Sequence, residues 1–197
     1  MIFNMIAKKQ ETPITSGFRL VANGISSNMT ANTFRNNFGG SVIEFIDYDG
    51  VATTITPADC GSNLKKLVTC SSNINLNYSQ LPNLEEATFL SATSYINGCV
   101  AYCSNLKVAR LYTSAAVAPS MFYSCSQLMS LYLYYSGSVV QCGQWHRGTP
   151  YEYGGQYFNT NARIYVPANL LAAYKSSRTG GYWYELYRNN SALFATI

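Results

Sequence analysis

The chain has 197 residues, a net charge of +4, 11% charged residues and 14% aromatic ones. That length suits one domain or one short repeat array. No Lys/Arg run exceeds Lys8-Lys9 or Lys65-Lys66, and no 18 consecutive residues are apolar, so composition excludes a basic nucleic-acid stripe and a membrane-spanning helix.

Charged residues fall well below the usual quarter of a soluble protein. Asn, Ser and Thr, with 17 tyrosines, do the solvating instead. Such surfaces are common in adhesive and assembly proteins and uncommon in cytosolic enzymes.

The N-terminus reads MIFNMIAKKQETP. Asn4 interrupts its apolar part and the lysines follow it, the reverse of a secretory signal. A complete chain of this kind is expected to be made in a cytoplasm and not secreted by the usual route. Residues 1–33 are read as an N-terminal arm and first cap. FRLVANG suits a first strand or an arm, and residues 1–15 suit an extended segment docking on a partner or on a second copy of the chain.

Residues 34–136 repeat themselves. GSNLKKLVTC, LPNLEEATFL, CSNLKVARLY and CSQLMSLYLY align on Leu64, Leu84, Leu106 and Leu128, and GGSVIEFIDY places Val42 in the same slot. The steps from Val42 onward are 22, 20, 22 and 22 residues. Within a unit the apolar pattern approximates L-x-x-L-x-L, as in Leu128, Leu131 and Leu133. Its second half alternates with period two, which predicts one short strand per unit with one buried face. The segments before each strand, such as INGCVAYC and APSMFYSC, supply Val100 and Phe122 to pack beneath the next unit. A single unit cannot bury its apolar side alone, so stability is expected from stacking.

Stacking places Cys103 and Cys125 at one phase in adjacent units. A row of reduced core thiols suits the burial tendency of cysteine. A disulfide between neighbouring units is the other reading.

Stacking also predicts three rows on the opposite, open strand face. They are Glu44-Lys66-Glu86-Val108-Ser130, Ile46-Val68-Thr88-Arg110-Tyr132 and Tyr48-Cys70-Leu90-Tyr112-Tyr134. The first is a ladder of alternating charge. Tyr112, Tyr132 and Tyr134, with Arg110 beside them, form an aromatic patch of the kind that marks a contact site; the other reading has the flanking insertion or a cap cover it.

Residues 137–161 interrupt the repeat with a Gly- and aromatic-rich insertion carrying Trp145, His146, Tyr151, Tyr153 and Tyr157. Such insertions often form a binding face; the other reading folds the aromatics inward. Residues 162–197 hold a last strand and a helical cap. Pro167 presets a helix over about 169–175 that aligns Leu170, Leu171 and Tyr174. Gly180-Gly181 breaks it, and YWYELYRN brings Trp183, Leu186 and Tyr187 to the same lid.

No catalytic constellation assembles. His146 is the single histidine, and Cys142 four residues before it would need two further ligands to hold a metal. Asp47 and Asp49 offer one carboxylate pair, but at a strand end where turn-making is the commoner role. No phosphate-cradling glycine motif is present. No cofactor is expected.

NGCVAYCSNLKVARLY and PSMFYSCSQLMSLYLY, with the closing NARIYVPANLLAAYKSSRTGGYWYELY, resemble the BspA-type leucine-rich repeat over about residues 34–187. The resemblance implies an α/β repeat: a right-handed leucine-rich-repeat solenoid with a short parallel β-sheet, irregular connecting turns and a C-terminal helical cap. It implies binding or adhesion and supplies no catalytic residues. Few repeats and the insertion depart from the pattern. Family members occur on cell surfaces and in bacteriophage genomes. The expected function is therefore a non-enzymatic virion component (head decoration, fibre or tail piece) contacting other virion or surface proteins or a cell-surface glycan. The alternative is a bacterial cell-surface adhesin module.

Overall fold

The computed structural model describes residues 18–22, 25–28, 42–48, 54–55, 62–70, 73–74, 81–90, 100–114, 116–117, 119–122, 124–142 and 161–197. Trp145, His146, Tyr151, Tyr153 and Tyr157, the arm at residues 1–15, and Asp49 lie outside these residues.

The strands in chain order are β1 (Phe18–Ala22), β2 (Ile25–Asn28), β3 (Val42–Asp47), β4 (Thr54–Ile55), β5 (Lys66–Thr69), β6 (Asn73–Ile74), β7 (Glu86–Phe89), β8 (Val108–Leu111), β9 (Ser130–Leu133), β10 (Arg163–Val166) and β11 (Phe194–Thr196). Two short helices, α1 (Leu171–Tyr174) and α2 (Tyr182–Asn189), separate the last two strands. Nine strands form one open sheet in the order β11-β10-β9-β8-β7-β5-β3-β1-β2. From β3 to β11 all neighbours are parallel, while β1 and β2 add an antiparallel pair at the β3 edge. FRLVA is therefore a strand. β4 and β6 make a separate parallel pair.

The repeat spacing sets the register. Leu67, Ala87, Ala109 and Leu131 are successive Cα partners across β5, β7, β8 and β9. Each strand presents its second and fourth residues to the core. Leu64, Leu84, Leu106 and Leu128 are all fully buried, as are Val100 and Phe122. Just before the buried Cys103 and Cys125, Tyr102 and Ser124 adopt left-handed backbone conformations (φ 63° and 58°). Each turn is closed by the cysteine N–H donating three residues back, to Val100 and Phe122. The Cys125 thiol also donates to the Val100 carbonyl, 3.1 Å away.

Unit-to-unit bonds also run outside the strands. Asn83 Nδ2 donates to the Ser62 carbonyl and Asn105 Nδ2 to the Pro82 carbonyl, at 3.0 and 2.7 Å. The asparagine preceding the repeat leucine is thus a tie to the previous unit.

The predicted helix over 169–175 is a 3-10 turn at Ala168–Leu170 followed by the single turn of α1. Pro167 opens it with φ −56°. A Cβ on Gly180 would collide with the Tyr174 carbonyl, and Gly181 holds φ +55°. α1 has already ended at Lys175, so the glycines do not stop it; Gly181 instead caps the start of α2. Tyr174, Trp183 and Leu186 are buried in the same core as the strands.

Two expectations are corrected. The chain does not end in helices: it returns as β11, which pairs with β10 through Ile164↔Phe194. The alternating apolar pattern is too short in FAT to signal a strand. The first residues of the 137–161 segment face inward, with Val139 and Val140 buried and Val117 bridging Cys142, while its aromatics lie outside the described residues. Two apolar residues there find the core before the aromatic stretch begins. Nor is the outer strand face open throughout. Ile46, Val68 and Thr88 are buried at 3%, 4% and 6% exposure. Their short β-branched side chains stand in a row between longer neighbours, so they are shielded where Arg110 and Tyr132 are not. Asp47, the last residue of β3, is fully buried opposite Thr69, and Asp49 lies outside the described residues.

Candidate interaction surface

The outer face of β8, β9 and β10 carries alternate residues of three strands. In-register parallel pairing sets equivalent side chains about 4.8 Å apart along each row. Flat rings at that spacing stack. Tyr112 and Tyr134 have centroids 4.3 Å apart and planes 9° apart. Tyr132 and Tyr165 are at 4.5 Å and 10°. The two rows join through Tyr132 and Tyr134, at 5.8 Å and 11°. Four tyrosines thus form one set of nearly parallel, half-buried rings.

The predicted patch of Tyr112, Tyr132, Tyr134 and Arg110 is brought together, but not as a flat platform. Ring faces are spent on each other, leaving mainly edges outward. Arg110 lies at one side, its Cζ 5.7 Å from the Tyr132 centroid. Its Nη1 pairs with Glu86 Oε2 at 3.0 Å, with 19% side-chain exposure for the arginine. One row over, Lys107 donates to Glu85 at 2.8 Å. That bond and the Lys107 charge hold the Glu85 carboxyl below the usual carboxylate range. Glu86 was expected in a ladder with Lys66, and Glu86↔Lys66 is indeed the strand register. The ion pair it makes, however, reaches the next strand, to Arg110.

Tyr165 and Arg163 were not anticipated. Arg163↔Ser130 and Tyr165↔Tyr132 are Cα partners, so both extend the outer rows. The step from Ser130 to Arg163 is 163 − 130 = 33 residues, which hides the continuation from a 22-residue period. The signal was RIYV itself, an alternating strand whose outward residues are Arg and Tyr.

Little else here suits reaction chemistry. Among the described residues no group of three His, Cys, Asp or Glu is placed to hold a metal. Burial pushes the Cys103 thiol up to about 12 and raises that of Cys142 as well. Both are therefore protonated, and poor nucleophiles, at neutral pH. No described helix is long and apolar enough to cross a membrane. Compared with family models, curated proteins and solved structures, the chain matches none.

Proposed function

We propose that the chain is a non-catalytic structural and interaction protein, a leucine-rich-repeat solenoid of the BspA type, built into a bacteriophage virion. The outer face of β8 to β10 is its contact surface. One observation carries this reading: the Tyr112–Tyr134 and Tyr132–Tyr165 stacks hold rigid aromatic edges and hydroxyls along one sheet face. Tyrosine gives large amphipathic contact area at low entropic cost, and pre-stacked rings lower that cost further. The solenoid reading is supported by equivalent residues falling in register one unit apart and by left-handed turns at Tyr102 and Ser124, themselves one unit apart.

An antibody to the chain should label purified virions of the genome that encodes it. Label confined to the bacterial envelope would instead favour the cell-surface adhesin. In light scattering, removal of residues 1–15 should dissociate any homo-oligomer made through the arm. The Y112S/Y132S/Y134S chain, folded by circular dichroism, should lose its attachment to particle or host surface.

A further inference from the structure

Resting on that reading, we propose that the β10–β11 end of the tyrosine face binds a carboxylate-bearing pyranose of a cell-surface glycan. Tyr165 supplies the stacking ring and Arg163 the anion partner.

The ring stack ends at a step. Tyr165 is covered by Tyr132 on one side, at 4.5 Å. On the other side its Cα partner on β11 is Ala195. A methyl group replaces the next ring there, and β11 is the last strand of the sheet. One more flat ring placed over Ala195 would continue the stack, resting its face on Tyr165. A pyranose has such an apolar face, and tyrosine is a suitable plane for it.

Charge chooses among sugars. The outward residues of β8 to β10 are Val108, Arg110, Ser130, Tyr132, Arg163 and Tyr165, with no carboxylate. The sequence has none between Glu86 and Glu152. Arg110 is neutralised by Glu86. Arg163 is not paired in this way: its contacts are donations from Nη1 to the Asn161 and Ala162 carbonyls, at 3.4 and 3.1 Å. Those use one nitrogen of a guanidinium whose fork suits a carboxylate bidentately. Arg163 stands two residues before Tyr165 on the same face, beside the Ser130 hydroxyl. A ring stacked on Tyr165 and a carboxylate at Arg163 can therefore belong to one sugar. Among the described residues of β8 to β10 this leaves one uncompensated arginine, too little for a polynucleotide backbone.

The test titrates the intact chain with oligogalacturonate, its carboxyl-reduced neutral counterpart, a poly-glutamate peptide and a thymidine oligonucleotide, followed by calorimetry and tyrosine ring NMR shifts. Oligogalacturonate should bind with the largest shifts at Tyr132 and Tyr165, and the neutral sugar at least about tenfold more weakly. R163Q should lose about tenfold and R163K part of that. A195Y should block binding by filling the step, and K107Q should bind as wild type. Should A195Y fail to fold, R163Q against R163K decides. Equal binding of the neutral sugar, indifference to R163Q, tighter binding of peptide or oligonucleotide, or no binding at millimolar sugar each overturns the proposal. If tyrosine-dependent attachment to particles or cells persists under any of those results, the contact-surface reading stands and only the acidic-sugar assignment falls.

Discussion

Tyr112 and Tyr134 belong to successive repeat units, and their rings lie face to face at 4.3 Å. The contact is a direct product of in-register parallel pairing. A double-mutant cycle with Tyr112→Leu and Tyr134→Leu should give a coupling of about 0.5–1.5 kcal/mol in urea denaturation. Additive single effects would mean that the rings do not support each other.

Ser124 repeats the left-handed turn of Tyr102. A β-branched residue tolerates that conformation poorly and glycine adopts it freely. Ser124→Val should therefore destabilise by about 1–2 kcal/mol, whereas Ser124→Gly should be neutral or raise the thermal midpoint.

Burial pushes both the Cys103 thiol and the Tyr174 phenol up to about 12, the latter despite the Val140 N–H that donates to it. In the unfolded chain these groups ionise near 9.0 and 10.0. Above those values the unfolded state sheds protons that the folded state retains. Stability is therefore complete below pH 9 and falls as pH rises toward 12, by about 1.4 kcal/mol per pH unit for each group once it ionises only when unfolded. Urea midpoints between pH 7 and 11 should show the decline, and Cys103→Ala should shallow it.

Val140 is held on both sides. Its N–H donates to Tyr174 Oη at 2.9 Å, and its carbonyl accepts from Trp183 Nε1 at 2.7 Å. Tyr174→Phe leaves a buried N–H unpaired, at a cost of about 1–3 kcal/mol. The loss should appear in thermal denaturation and in faster exchange of the Val140 amide.

Periodicity made the parallel rows legible because a repeat phase translates directly into strand register. Leu106, Ala109 and Leu111 could be assigned to the core, and Tyr112 and Tyr134 to one row, from spacing alone. Trp183 and Leu186 were readable from helical spacing after a glycine break. What escaped had no period to carry it. The 33-residue step concealed Arg163 and Tyr165, and β11 offered three residues whose role depends on pairing with β10. The shielding of Val68 and Thr88 depends on the reach of neighbouring rows, which alternation does not encode. The asparagine ties were visible as LPNL and CSNL, yet a side chain reaching the previous unit is recognised only once the units are stacked.

Hydroxyl-radical footprinting of tyrosine side chains, with the intact chain bound to host-cell envelope, tests the contact surface most directly. Tyr102 and Tyr182, 41% and 38% exposed and away from the outer strand rows, serve as internal controls. Tyr132, Tyr134 and Tyr165 should lose labelling on binding while the two controls keep theirs. Protection of Tyr102 or Tyr182, with the outer-face tyrosines unchanged, would contradict it.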